Sequence, residues 1–169
     1  MHHGRKNADF GQGFYLTAEA AFARRWAKER SGMQTVVNTY ELDTDGLAVC
    51  RFTRSREWFE YIFANRSGRQ DRLGADVVIG PIANDTIYDT FGIITSGFLK
   101  EEDALRLLLI GPEYRQIALK TEKAAERLQW LSAEILTPEE LGACRALVSA
   151  EQSAYQELFA AEMEKIVNQ

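Results

Sequence analysis

The sequence predicts an α+β fold. Three observations carry that expectation. Short β-type runs alternate with segments of helical period, and this alternation fits a layered α+β domain. The chain has 169 residues, which suits one domain with a short appendage. Apolar residues make up 46% and charged residues 27%, an ordinary balance for a globular protein that buries a core. That balance argues against intrinsic disorder. No run of about 18 apolar residues occurs, so no transmembrane helix is expected. Nor does the N-terminus show the apolar region of a cleaved signal, so a cytoplasmic location is expected.

Residues 1–13 are polar and glycine-rich and read as a loop. Phe14-Tyr15-Leu16 reads as a short strand. Thr17 reads as an N-cap for a helix over 18–28, with Ala21, Phe22 and Trp26 on one face. Residues 35–42 read as a strand, 43–46 as a turn and 47–52 as the return strand. A helix is expected over 55–65, because Trp58, Phe59, Ile62 and Phe63 keep the spacing of one apolar face. Residues 66–74 read as a polar loop. A buried strand follows at 76–81, ended by Gly80-Pro81. A short helix over 84–91, an amphipathic helix over 101–109, a strand over 115–119 and a helix or turn over 121–128 complete the body. Trp26, Trp58 and Trp130 are all expected in the core.

From residue 137 the texture changes. Thr137-Pro138-Glu139-Glu140 combines an N-cap, a proline at the first helical position and acids in the first turn. Leu141, Cys144, Val148, Tyr155, Leu158, Phe159 and Ile166 then recur at helical spacing. The tail 137–169 is therefore expected to be helical, as one helix or two, appended to a domain over 1–136. Its apolar stripe needs cover. Packing on the chain's own body ranks first, and pairing with a second copy into a homodimer ranks second.

Charge and residue counts exclude several functions. The net charge is −5, which argues against tight, sequence-independent nucleic-acid binding. Residues 51–72 carry six Arg against three acids, while the tail carries six Glu against Arg145 and Lys165. These read as two solvated surfaces before they read as complementary faces. The two cysteines, Cys50 and Cys144, are far apart and read as buried thiols in a reducing compartment. The only histidines are His2 and His3, so the common zinc constellations are missing and no metal is expected.

The sharpest motif is Asp9-Phe10-Gly11-Gln12-Gly13-Phe14-Tyr15-Leu16-Thr17. Leu16 stands where a dinucleotide fingerprint needs its third glycine, and no strand precedes the run. No Gly-Lys-Ser/Thr follows either, so a P-loop is absent. The incomplete glycine motif counts against a metabolic dehydrogenase. On spacing alone the run reads as a tight turn entering a strand.

This run resembles the second core motif of the ADP-ribosyltransferase superfamily, in the form found in poly(ADP-ribose) polymerases. The longer stretch from Gly4 to Thr17 resembles the opening of domain of unknown function family 3990. That bacterial family is regarded as ADP-ribosyltransferase-like and often lies near toxin–antitoxin genes. Further blocks agree in order: Glu57-Trp58 through Asn65-Arg66, Asp76 to Asp85, and Gln116-Ile117-Ala118-Leu119-Lys120-Thr121. The resemblance spans roughly residues 4 to 131.

The resemblance implies two small, mostly antiparallel sheets packed at an angle with helices around them. It implies NAD as substrate and transfer of ADP-ribose to a macromolecular target, as a bacterial toxin or effector, with an antitoxin or other neutralising partner. Tyr15 matches the superfamily tyrosine, whose ring would stack on the cationic nicotinamide. Gly11 and Gly13 would lie near the dinucleotide, and Arg5 near a phosphate. The third signature position falls by order at Gln116, where a carboxylate would bond a ribose hydroxyl. An amide there can hold the hydroxyl but brings no charge. Glu113 is the alternative carboxylate. The superfamily histidine lies about a dozen residues before Gly4 in the family pattern, so its strand is expected to be missing from this chain, and His3 is a minority candidate. A catalytically degenerate NAD-binding or protein-interaction module of the same fold is the alternative function.

Overall fold

The computed structural model describes residues 4, 6–83 and 99–168. Arg5, His2, His3 and the helix expected over 84–91 lie outside the described residues. Six strands and five helices are present among the described ones. In chain order these are β1 (Phe14–Leu16), α1 (Ala20–Trp26), β2 (Val36–Leu42), β3 (Val49–Arg51), α2 (Arg56–Arg66) and β4 (Val77–Pro81). They continue with α3 (Glu101–Leu108), β5 (Arg115–Leu119), α4 (Glu122–Glu126), β6 (Leu128–Ile135) and α5 (Pro138–Val167). The fold is α+β with two small sheets.

The larger sheet has the order β1-β5-β4-β3. β5 pairs antiparallel with both β1 and β4, while β3 pairs parallel with β4. The strands are short and apolar, and central β4 buries four of its five residues. One face of this sheet carries Tyr15, Cys50, Val78 and Ala118. Phe10, Phe52, the α2 residues Trp58, Phe59 and Ile62, and Tyr155 and Phe159 of α5 complete that core. The other face carries Val77 and Leu119 against Ala124 of α4, with Leu42 and Leu128 at its margin. The second sheet is a two-stranded antiparallel ribbon of β2 and β6, with a register shift between Thr39 and Tyr40.

Several expectations need correction. Helix α1 begins at Ala20, two residues late, because Thr17 Oγ1 accepts from Glu19 N (3.1 Å) and so caps a turn, not the helix. The strand after the 43–46 turn does not return against β2. It crosses to the larger sheet, where Val49↔Val77 sets its register. Residues 128–135, of which only Leu128 falls in an element read from sequence, form β6. Trp130 therefore sits on an exposed strand at 56% exposure, and Trp26 is 42% exposed at the end of α1. Phe63 is also exposed, while Trp58 is fully buried with its Nε1–H donated to Pro81 O at 3.0 Å. Cys50 and Cys144 are free thiols and only half-buried.

The tail is one helix of 30 residues. Thr137 and Glu140 form a reciprocal capping box, and Pro138 opens the helix. Tyr155 and Phe159 enter the main core, with Met163 and Ile166 packed at its edge. Ion pairs reinforce the seat: Arg25 with Glu151, Arg106 with Glu162, and Arg24 with Glu140 at 3.5 Å. Of the expected stripe, Leu158 and Val148 remain exposed.

Candidate functional site

The four sequence blocks meet at one buried point, the Asp9 carboxylate, which is 5% exposed. Arg66, at the C-terminal end of α2, donates to Oδ1 from Nε (2.9 Å) and Nη2 (2.6 Å). Gln116, on β5, donates from Nε2 to Oδ2 at 3.3 Å. The backbone N–H of Ala83, just after β4, donates to the same oxygen at 3.1 Å. Asn65 Nδ2 donates to the Asp9 carbonyl (3.2 Å) and to the Tyr61 carbonyl (2.9 Å). A buried charge needs a partner and hydrogen bonds on its remaining lone pairs, and Asp9 has both.

The turn after Asp9 is held just as closely. Gly11 takes a φ of 71° and its N–H donates to Ala8 O at 2.8 Å. A Cβ on Gly11 would stand 2.7 Å from Asn65 Oδ1 and 2.9 Å from Lys120 Nζ. A Cβ on Gly13 would stand 2.6 Å from Leu119 O, the carbonyl of the neighbouring strand. Lys120 Nζ donates to Phe10 O and pairs with Asp71 Oδ2 at 3.1 Å. Tyr61 donates to the same Asp71 oxygen at 2.8 Å, which fastens the 67–74 loop beside the turn. Burial works against the Asp71 charge, but bonds from Leu73 N–H, Tyr61 and Lys120 outweigh it and hold its carboxyl below the usual range.

Tyr15 closes the turn from below. Its hydroxyl donates to Gly11 O at 2.7 Å and accepts from Phe10 N at 3.1 Å. Burial pushes its pKa well above the ordinary 10.0. Tyr15 stands opposite Ala118, so Tyr15 and Gln116 share one face of two adjacent strands. Gln116 in turn stands opposite Gly80, where a Cβ would meet Phe10 Cζ and Phe52 Cβ at 3.0 Å. The missing side chain at Gly80 is what lets Phe10 lie over the sheet.

Glu113 is placed differently. It lies before β5, with Oε2 3.9 Å from Arg54 Nε and Oε1 4.0 Å from Arg115 Nε. Arg54 bonds the carbonyls of Leu109, Gly111 and Pro112, so it fixes the loop that carries Glu113. A separate groove of about 310 Å3 runs between α1 and α5, lined in part by Arg24, Arg25, Cys144 and Arg145. None of the expected site residues lines it. No group of three or more metal-ligating side chains occurs among the described residues. No described helix is long and apolar enough to cross a membrane.

Asp9, Asn65, Arg66, Asp71 and Lys120 had no role assigned from sequence. The first three and Lys120 do fall inside the blocks of the resemblance, which was the available signal. Asp71 carried none.

The site thus defines an α+β domain whose glycine-bearing turn is clamped onto two adjacent strands by a buried ion pair. The family described as "Protein of unknown function (DUF3990)" matches residues 1–130, and the chain belongs to it. No curated protein and no solved structure gives a match. The match ends inside β6, so α5 lies beyond the matched residues.

Proposed function

We propose that the protein transfers ADP-ribose from NAD to a macromolecular target, as a bacterial toxin or effector. One observation carries the reading. The strand with the Gly-x-Gly-aromatic-Tyr motif is the hydrogen-bonded neighbour of the strand carrying Gln116, which the resemblance puts at the third signature position, and Tyr15 and Gln116 share one face. NAD supplies a cationic leaving group on the ribose carbon to be attacked. Tyr15 would offer its ring to that cation; it is half-buried and packs against the main core. Its hydroxyl is spent on the Gly11 turn, so the ring, not the hydroxyl, is the working part. The Gly11–Gly13 backbone would lie along the dinucleotide, with Arg5 as the phosphate contact in this reading.

The fit is incomplete at the third position. Gln116 donates to Asp9 and brings no negative charge. Glu113 is the nearest carboxylate in sequence and is engaged, loosely, by Arg54 and Arg115. This observation favours the second reading, an NAD-binding module of the same family without transfer activity.

Incubation with labelled NAD and a cell lysate separates the two. Label in a macromolecule, lost in Tyr15→Ala, supports the transferase. Bound NAD that is sensitive to Tyr15→Ala, with neither label transfer nor nicotinamide release, supports the binding module. No NAD binding by calorimetry overturns both.

A further inference from the structure

Helix α5 presents two apolar stripes, and only one is covered. The covered stripe holds Tyr155 and Phe159. At about 3.6 residues per turn, Ala143, Leu147, Ala150, Ala154, Leu158 and Ala161 form a second stripe, roughly a third of a turn away. All six are exposed, Leu147 at 56% and Leu158 at 54%. The stripe spans about 18 steps, or about 27 Å of helix. Exposed Glu157 borders this strip, which is otherwise apolar over that length, and an exposed apolar strip of that kind marks a contact surface.

We infer that this stripe pairs with the same stripe of a second copy, antiparallel about a two-fold axis near Gln152. The stripe is palindromic about that point. Ala143 and Ala161 are equally distant from Gln152, as are Ala150 and Ala154. In that register Ala150 meets the partner's Ala154, and Ala143 meets the partner's Ala161. Leu147 and Leu158 are centred half a residue further on, so each leucine meets the partner's other leucine. A two-fold contact must be self-complementary in this sense. The small central residues let the two backbones approach, and the leucines fill the space on either side.

The charges agree with the same register. Glu140 and Lys165 are centred where Leu147 and Leu158 are, and both lie on the stripe's line. Glu140 would therefore meet the partner's Lys165 at each end of the contact, in addition to the pairs these residues make in their own chain with Arg24 and with Glu162. Bonds from the Thr137 N–H and hydroxyl, with Arg24 nearby, hold the Glu140 carboxyl below the usual range, so it is charged at neutral pH. A parallel pair would set Lys165 against Lys165 and Glu140 against Glu140. The inference concerns a helix outside the family match and does not depend on the NAD reading.

Sedimentation equilibrium on the full chain tests it. The expected mass is twice 19.1 kDa over a concentration series. Leu147→Glu combined with Leu158→Glu is expected to give a monomer with unchanged far-UV circular dichroism, because both positions are exposed. Its dissociation constant should rise by far more than about tenfold, since the added carboxylates of both copies would be buried without partners. If that variant does not fold, Lys165→Glu decides. It sets a second carboxylate against the partner's Glu140 and should weaken the dimer about threefold to tenfold, less so at high salt. A monomeric wild type overturns the inference, whether or not the stripe then takes a different protein. A dimer that ignores both variants overturns it too, because the contact then lies elsewhere.

Discussion

Arg66 grips the Asp9 carboxylate with two nitrogens on one oxygen, and both side chains are below a tenth exposed. This pair joins the end of α2 to the turn before β1 across 57 positions of sequence. A buried pair adds little when compared with apolar replacements, but removing one partner strands the other charge. Arg66→Ala is therefore expected to lose about 3–5 kcal/mol of unfolding free energy. Urea denaturation measures it. A loss below about 1 kcal/mol would mean that Asp9 finds other donors in the folded state.

Gln116 is held by the same buried carboxylate. Its Nε2 lies 3.3 Å from Asp9 Oδ2, so the position needs a donor. Gln116→Glu would put a second carboxylate against Asp9 in a buried setting. Two such groups cannot both ionise cheaply, so the new acid would have a raised pKa in the folded state. A raised folded-state pKa gives stability at low pH that is lost as pH rises. The variant is thus expected to gain stability as pH falls from about 7 to about 5, against the wild type. Thermal unfolding across that range checks it. A variant as stable as wild type at neutral pH would show that Asp9 and residue 116 are not coupled.

Two glycines separate backbone strain from crowding. Gly46 takes φ 72° with no atom within 4 Å of an added Cβ, whereas Gly11 takes φ 71° with Asn65 and Lys120 inside 3 Å. Gly46→Ala should lose about 1 kcal/mol, the left-handed penalty alone. Gly11→Ala should lose about 2–4 kcal/mol, because Asn65 and Lys120 must also move from their bonds to the turn. Equal losses at the two sites would contradict the tight clamp.

Much of the fold was legible because local chemistry agreed with it. Ser55 caps α2 by accepting from Trp58 N at 3.3 Å, and the capping box at Thr137 and Glu140 opens α5. Each of these signals is local in sequence. β6 was not legible, because its strand state comes from a partner far away in the chain, Val36↔Ile135 at one end and Leu42↔Leu128 at the other. The fate of β3 was hidden for the same reason: a turn at 43–46 suggests a hairpin, and only the parallel partner β4 draws the chain elsewhere. In the site, Tyr15 and Gln116 were singled out and do share a face. The clamp around them was not, since no spacing rule links Asp9 to Arg66 or Lys120 to Asp71.

Tyr15 separates the structural and functional roles of one side chain. Its hydroxyl makes two bonds to the Gly11 turn, so Tyr15→Phe should lose about 1–3 kcal/mol at neutral pH. The same substitution should change the alkaline limb of stability. Burial raises the folded-state pKa above 10.0, while the unfolded chain ionises near that value. Above it the folded state holds the extra proton, so wild-type stability falls as pH climbs past 10.0. Tyr15→Phe should flatten part of that fall. Tyr61, whose pKa is raised by burial and by the Asp71 carboxylate, and Tyr114, raised chiefly by burial, share the remainder. Under the proposed function NAD binding needs the ring alone. Tyr15→Phe should then bind NAD nearly as wild type does, while Tyr15→Ala should not. Calorimetric titration with NAD, run beside urea unfolding, distinguishes the cases. If Phe and Ala lose binding in proportion to their lost stability, Tyr15 only holds the turn. If Phe keeps binding despite its lower stability, the ring is a ligand contact in its own right.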